Sequence, residues 1–109
     1  QAFAVKEASD PSQPELEALG EAVSSVGRHP CHVALDMTER WLFAANYTEG
    51  SVAVLPIRAD GSVGPATDSK MHQGGHSIPK ELHDRQERPH CHQALVHGSN
   101  KWVLVPDLG

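Results

Sequence analysis

The sequence lacks a cluster of basic residues, a long apolar run and enough cysteines for a disulfide framework. Its 109 residues carry nine Lys and Arg against 14 Asp and Glu, for a formal net charge of −5. We expect no nucleic-acid partner, because no basic stripe is present to neutralise phosphates. We expect no membrane partner either, because no apolar run approaches the ~20 residues of a membrane span. These absences favour a cytoplasmic protein that acts on a small molecule.

The spacings typical of zinc sites, Cys-x-x-Cys and His-Glu-x-x-His, are also absent. Cys31 and Cys91 are interpreted as small, half-buried thiols, with a disulfide between them as the alternative. The rival interpretation is a metal site to which the His-x-His pair of His90 and His92 could supply two ligands. Its candidate ligands are His29, Cys31, His32, His72, His76, His83, His90, Cys91 and His92. We expect no metal, because strand alternation would turn Cys91 away from both imidazoles.

One segment of the chain occurs twice. Residues 30–35 read Pro-Cys-His-Val-Ala-Leu and lead through a polar turn to an apolar run at 41–47 that begins with Trp. Residues 89–95 read Pro-His-Cys-His-Gln-Ala-Leu and lead to a second such run at 102–108. A repeat at this period indicates a modular array, and such arrays need about three or more units. Since the chain opens on Gln1 and holds barely two units, we expect it to be part of a longer protein.

Short strand patterns dominate the chain. They cover residues 3–5, 32–36, 41–46, 51–57, 63–71, 90–95 and 102–105. Asp60-Gly61 predicts a tight hairpin turn, and residues 9–14 predict another turn. Residues 16–26 would fit a helix on their own, but a repeat of strands favours an outer strand there. The polar segment 72–88 is predicted to be a long loop that is functional or disordered, with His72, His76 and His83 solvated.

Four strands at 8–12-residue spacing, followed by the same strand pair again, are typical of β-propeller blades. We therefore predict an all-β fold, a partial β-propeller of about two four-stranded antiparallel blades. Residues 1–29 would be the outer strands of one blade and residues 30–72 a complete blade. Residues 73–89 would be a long loop, and residues 90–109 the inner strands of the next blade.

Several segments carry a resemblance to a known family. They are Pro30–Asp36, Arg40–Tyr47, Gly50–Ile57, Asp60–Gly64 and the Arg-Gln-x-x-Pro-His-x-His stretch at 85–92. In these segments the chain resembles the lactonase family of seven-bladed propellers, which includes propeller-type 6-phosphogluconolactonases and carboxymuconate cyclases. The resemblance implies hydrolysis of an anionic sugar-acid lactone without metal or organic cofactor. It also implies a site drawn from several blades, including Arg and Glu of later blades that this sequence does not contain.

His90 and His92 are the predicted catalytic pair. They lie two residues apart on an expected inner strand, and residues i and i+2 face the same side of a strand. Two imidazoles that face one channel could serve as base and positioning group, since imidazole can take a proton from water near neutral pH. The alternative is that one of them packs structurally and only the other meets substrate.

Three further residues are predicted to contact substrate. Arg85 could clamp a phosphate and is counted with the catalytic residues, while Gln86 could donate to a carbonyl oxygen. The alternative for Arg85 is an ion pair with Asp84 or Glu87 on a solvated loop. His32, the repeat equivalent of His92, would line the same channel or bond the backbone of a neighbouring blade.

Asn46 and Asp107 occupy equivalent positions in the two copies and are predicted to be turn formers that bond backbone. Asn46-Tyr47-Thr48 also matches a glycosylation pattern, which would matter only in a secreted protein.

Three functions stay open from sequence. The first is a lactonase, catalytic in the full-length protein, that acts on an anionic sugar lactone. The second is a muconate-type lactonising cycloisomerase. The third is a non-catalytic propeller fragment that acts as a binding or structural module. Its open sheet edge would pair with the remaining blades, or with a partner chain if the chain ends at residue 109.

Overall fold

The computed structural model describes residues 1–7, 12–74 and 78–109. These residues form three antiparallel sheets. The strands are β1 (Ala2–Lys6), β2 (Glu15–Leu19), β3 (Pro30–Leu35), β4 (Trp41–Asn46), β5 (Ser51–Pro56), β6 (Asp68–Met71), β7 (Leu95–Val96) and β8 (Val103–Leu104). β1 pairs with β2, β3 to β6 form a four-stranded sheet in chain order, and β7 pairs with β8. The predicted all-β antiparallel architecture is confirmed.

The four-stranded sheet holds the core. Its β5 alternates buried and half-buried residues, as a strand with one face against the core should. Ala44, Ala53, Leu55 and Val63 form the buried apolar cluster. The sequence predicts this sheet because the apolar runs at 41–46 and 51–57 are separated by a short polar turn.

Of the outer strand expected at 16–26, residues 16–19 lie in β2 and residues 20–26 are in neither a strand nor a helix. β2 pairs along its whole length with β1, so that Leu16 lies opposite Val5. The predicted Asp60-Gly61 turn is present, with a left-handed φ of 83° at Gly61. Of the predicted turn at 9–14, residues 9–11 lie outside the described part of the chain, as does His76.

Further segments differ from the prediction, among them the strand expected at 102–105, which is reduced to β8. The strand expected at 63–71 is reduced to β6 and a single bridge between Val63 and Ile57, because Pro65 has no N–H to donate to a ladder. The expected loop at 72–88 contains a 3₁₀ helix, Lys80–Leu82, followed by the one-turn helix α1 (His83–Gln86). The strand expected at 90–95 is reduced to β7 and one bridge between Cys91 and Asp107. None of the described helices is long and apolar enough to cross a membrane.

The two copies of the repeat contact each other directly. Cys31 Sγ lies 3.5 Å from the backbone oxygens of both Cys91 and His92. Both cysteines are free thiols, so the disulfide alternative is not realised. The sheets of neighbouring copies are therefore joined through backbone groups beside the histidines.

A buried carboxylate joins the same sheets at the opposite end. Asp36, only 6% exposed, accepts hydrogen bonds from the Thr38 hydroxyl at 2.6 Å and from the Asn100 side chain at 2.9 Å. It also accepts the backbone N–H groups of Arg40 and Trp41. The Thr38 hydroxyl first, and then the other donors, hold the pKa of Asp36 well below its ordinary value, against the opposing effect of burial.

We expect Asp36→Asn to lower stability near pH 7 and to have a smaller effect in acid. A carboxyl whose pKa is depressed by folding stabilises the fold above its unfolded pKa of ~3.9, and this contribution is lost as the pH falls through the folded value. Urea unfolding at pH 7 and pH 3 measures the difference. Asp84→Asn, at an exposed carboxylate, is the control. An equal loss at both pH values would contradict the role given to the Asp36 charge.

Candidate functional site

His90 is buried, and the face of its ring and both ring nitrogens contact other residues. It is 4% exposed, and its ring stacks on Tyr47 with centroids 4.4 Å apart and planes inclined by 18°. Its Nδ1 lies 3.1 Å from the Tyr47 carbonyl oxygen, and its Nε2 lies 3.2 Å from a Glu87 carboxylate oxygen. A neutral ring can donate to one of these acceptors and an imidazolium to both. Because both nitrogens face acceptors, His90 is better placed to position neighbours than to take a proton from water.

Glu87 is the carboxylate that orients this ring. The hydrogen bond from His90 is the main cause that holds the pKa of Glu87 below its ordinary value. Glu87 also pairs with Arg88 through a 3.2 Å contact. Glu87 is therefore an anionic acceptor beside a buried imidazole. Its carboxylate bonds His90 rather than Arg85, the ion-pair partner that the sequence offered as an alternative.

His92 has the opposite environment. Its side chain is exposed, and its ring meets the Tyr47 ring edge-on, with centroids 5.7 Å apart and planes inclined by 82°. Within the described part of the chain, the His92 ring makes no hydrogen bond. Tyr47 thus contacts both imidazoles and leaves one of them open to a small molecule.

Asp107 fixes the backbone that carries His90. One carboxylate oxygen accepts the backbone N–H groups of His90 at 2.6 Å and Gly109 at 2.9 Å. The other oxygen lies 2.6 Å from His72 Nδ1. Burial alone would raise the pKa of Asp107, but these hydrogen bonds hold it below its ordinary value.

The predicted substrate contacts lie on the short helix. Arg85 is exposed on α1, beside a cavity of about 510 Å³, and in the described residues it has no hydrogen bond or ion pair. Gln86 donates to the Leu108 carbonyl at 3.0 Å, and the Leu108 N–H donates to the His90 carbonyl at 3.0 Å. The helix is therefore tied to the His90 segment, although no direct contact joins Arg85 to the imidazoles of the described chain.

One ring nitrogen of His32 bonds the backbone of the neighbouring copy of the repeat. Its Nδ1 accepts the backbone N–H of Ala94 at 3.3 Å. Of the five predicted site residues, the structure thus brings His90 and His92 together around Tyr47. It links Gln86 to the His90 backbone through Leu108, by two hydrogen bonds, and in the described chain no hydrogen bond joins Arg85 or His32 to the pair.

Sequence reasoning missed three participants and misplaced a fourth. Tyr47 and Glu87 frame the two imidazoles, and Asp107 is more than a turn former. His72 was predicted to be solvated, but it bonds Asp107. For Glu87 the signal was proximity in the chain, since it lies three residues before His90, although no helix joins the two because α1 ends at Gln86. For Asp107 and Tyr47 no local pattern was available, because Asp107 lies 35 positions from His72 and Tyr47 lies 43 positions from His90.

Comparison with known proteins decides the family. The family model described as Lactonase, 7-bladed beta-propeller, matches residues 1–109. The chain belongs to the lactonase family of seven-bladed β-propellers. This confirms the predicted resemblance and the partial-propeller fold.

Asn46, the acceptor of the glycosylation pattern, is 0% exposed in this fold, and its amide donates to Ser25 and Ser51.

Several members of the lactonase family resemble the chain closely. The 6-phosphogluconolactonase of Bacillus subtilis strain 168 is 37% identical over 83 residues, which are 76% of this chain and 22% of that protein. A candidate 6-phosphogluconolactonase from Bacteroides fragilis superposes with a TM-score of 0.79 at 32% identity, covering 98% of this chain and 27% of the other. The periplasmic gluconolactonase of Pseudomonas aeruginosa superposes with a TM-score of 0.76 at 29% identity, covering 98% and 28%. The chain thus spans less than a third of the relatives that it matches.

Proposed function

We propose that the protein hydrolyses a sugar-acid lactone, with 6-phosphogluconolactone as the preferred substrate class. The observation that carries the proposal is the histidine pair in a lactonase-family chain: an exposed His92 imidazole held beside a buried, fully bonded His90. Relatives named as 6-phosphogluconolactonases support the substrate class. The reaction requires a base for water, donors for the oxyanion and a cation for the phosphate.

In this proposal His92 acts as the general base. Its free ring nitrogen takes a proton from a water molecule while the water oxygen forms a bond to the lactone carbonyl carbon. The tetrahedral intermediate then collapses, the bond from that carbon to the ring oxygen breaks, and the imidazolium returns its proton to the leaving alkoxide. The products are the open hydroxy acid and the neutral imidazole, so protons balance over the cycle.

His90 and Tyr47 position this base, and Gln86 supplies polarity near the carbonyl. The Tyr47 ring contacts both imidazoles and so limits the orientations that His92 can adopt. Gln86 Nε2 carries two N–H groups, and its bond to Leu108 uses one of them. The second N–H is left to donate to an oxyanion at the mouth of the site, where His32 would form part of the wall.

Hydrolysis of 6-phosphogluconolactone by the full natural chain tests the proposal. Ring opening is followed by NMR against the spontaneous rate, with muconolactone as a second substrate. A rate no faster than the spontaneous one would overturn the assignment and leave a binding or structural module. Turnover of muconolactone alone would move the assignment to the cycloisomerase branch.

Arg85 is proposed to bind the substrate phosphate, because it is an exposed cation whose guanidinium has no ion pair among the described residues. We expect Arg85→Ala to raise KM for 6-phosphogluconolactone roughly 10–100-fold, the value of a charge-assisted hydrogen bond. KM for unphosphorylated gluconolactone should stay unchanged. Steady-state kinetics on both lactones measures the ratio.

Lys80→Ala is the matched control, since Lys80 is an exposed cation in the helical turn that precedes α1. It should leave both KM values unchanged. An equal effect of Arg85→Ala on the two lactones would show that the guanidinium does not contact the phosphate.

A cytoplasmic location and the absence of any cofactor in catalysis belong to the same proposal. Two free thiols support a reducing compartment. Water, imidazole, an amide and the Arg85 guanidinium suffice for the proposed hydrolysis.

A further inference from the structure

A second cluster of functional groups lies on the other side of the His90 backbone. One ring nitrogen of His72, Cys91 Sγ and one Asp107 carboxylate oxygen all lie within 4.8 Å of one another. The His72–Asp107 separation is 2.6 Å and the Cys91–Asp107 separation is 3.4 Å. The proposed lactone hydrolysis uses none of these three side chains as a reacting group.

The scaffold that carries the three side chains is well constrained. Cys91 and Asp107 face each other across an antiparallel bridge, flanked by backbone hydrogen bonds from His92 to Pro106 and from Leu108 to His90. The His72 N–H donates to the Gly50 carbonyl at 2.9 Å. The Asp107 carboxylate oxygen that does not face His72 and Cys91 accepts two backbone N–H groups. Outer contacts of this kind orient the ligands of metal sites.

The cluster is also enclosed. Cys91 is 0% exposed, whereas the His72 side chain is 31% exposed and the Asp107 side chain 19%. A metal ion would therefore enter past His72 and Asp107 and have the sulfur at its inner side. This leaves one direction for a further ligand from solvent.

We propose that His72, Cys91 and Asp107 form a zinc site with three protein ligands and one exchangeable water. Nitrogen, sulfur and carboxylate oxygen are the three donor types that zinc takes in proteins, and three protein ligands with one open position make a known zinc arrangement. Harder cations such as Mg²⁺ and Ca²⁺ take oxygen ligands and would not use the thiolate.

Two of the three ligand separations lie close to those that zinc requires, and the third, between His72 and Cys91, is within 4.8 Å. Zinc–ligand bonds of about 2.0–2.3 Å in a tetrahedron place ligand atoms roughly 3.3–3.7 Å apart. The Cys91–Asp107 separation of 3.4 Å already falls in this range. The His72–Asp107 pair would open by under ~1 Å as the ion replaces the proton that they share. The Cys91 thiol proton leaves to solvent as the sulfur binds.

This site is distinct from the two imidazoles of the proposed active site. Successive side chains of an extended segment point to opposite sides. The His90 ring accordingly stacks on Tyr47, while the Cys91 thiol donates to Asp107. The predicted absence of metal rested on the missing zinc-site spacings and on the alternation of Cys91 with His90 and His92, and neither ground applies to a site that takes its nitrogen from the distant His72.

Cobalt(II) titration of the metal-free full natural chain tests the proposal independently of lactone hydrolysis. We expect one equivalent of cobalt to give the near-ultraviolet thiolate charge-transfer band, and zinc to displace it. Cys91→Ala should abolish the band, whereas Cys31→Ala should retain it. Cys31 is the matched control because it occupies the equivalent position in the first copy of the repeat.

His72→Gln covers the case in which Cys91→Ala does not fold. Glutamine can keep a hydrogen bond to Asp107 but binds zinc poorly, so cobalt affinity should fall at least ~100-fold, more than the loss of an outer contact costs. His97→Gln changes an exposed imidazole in the β7–β8 turn and should have no effect. Absence of the band in the parent chain, or its persistence in Cys91→Ala or undiminished in His72→Gln, would overturn the proposal.

Discussion

Replacing Gly50 with alanine is expected to destabilise the fold by about 2–5 kcal/mol. Gly50 has a φ of 64°, in the left-handed region, where a side chain costs about 1–2 kcal/mol. A Cβ there would also lie 2.5 Å from the Pro89 carbonyl oxygen and 2.6 Å from Pro89 Cβ. Forcing this contact apart adds about 1–3 kcal/mol, the usual cost of overpacking.

The consequence extends to the histidines. Pro89 precedes His90, and the Gly50 carbonyl accepts a hydrogen bond from the backbone N–H of His72. A shift of the 47–50 turn away from Pro89 would therefore disturb the Tyr47–His90 stack as well as the fold. We expect Gly50→Ala to lose lactone hydrolysis together with stability.

Urea unfolding of the full natural chain, followed by circular dichroism, measures the loss of stability. Gly98→Ala is the control, because among the described residues no atom outside Gly98 and its two chain neighbours lies within 4 Å of the position that a Cβ would take. It should change stability by no more than ~0.5 kcal/mol. A Gly50→Ala variant as stable as Gly98→Ala would show that the two turns are not packed as described.

The strands of the central sheet follow from sequence because their cause is local. The apolar run at 41–46 lies between two polar turns, and β4 has those same limits, Trp41–Asn46. Residues 16–19 have helical propensity, yet they lie in β2 because pairing with β1 overrides it, whereas residues 20–26 are in neither a helix nor a strand. Only the repeat, a feature of the whole chain, favoured the strand.

The contacts that build the candidate site could not be predicted in the same way. His72 meets Asp107 and Tyr47 meets His90 across 35 and 43 residues, and both contacts depend on how neighbouring sheets pack. Periodicity shows which face of a strand a residue occupies but not which loop covers it. The short helix α1 was missed although its neighbourhood had a signal, since Lys, Glu, Leu, Arg and Gln at 80–86 are all good helix formers.

The environments of His90 and His92 resolve which member of the predicted pair should carry the larger catalytic effect. Deletion of a general base typically costs 10²–10⁴-fold in rate. His92 is exposed and unbonded in the described chain, whereas both nitrogens of His90 face acceptors. We therefore expect His92→Ala to reduce kcat for 6-phosphogluconolactone about 10²–10⁴-fold, with KM changed much less.

His90 should behave differently, because it acts through its neighbours. We expect His90→Gln to lower kcat by a smaller factor than His92→Ala, since the glutamine amide can still donate to the Tyr47 carbonyl. It should also lower the unfolding temperature, because the ring stack and the bond to Glu87 are lost. His92→Ala should leave the unfolding temperature nearly unchanged, which separates a catalytic role from a structural one.

The control for both variants is His97→Ala, in the β7–β8 turn, where the imidazole bonds Ser99 and no other residue of the described ranges. Its kcat should equal that of the parent chain. If His92→Ala kept full activity while His90→Gln lost it at unchanged stability, the assignments of base and positioning group would be reversed. If neither variant changed kcat, the histidine pair would not be the catalytic centre, because a rate above the spontaneous one would then need a base elsewhere in the natural chain.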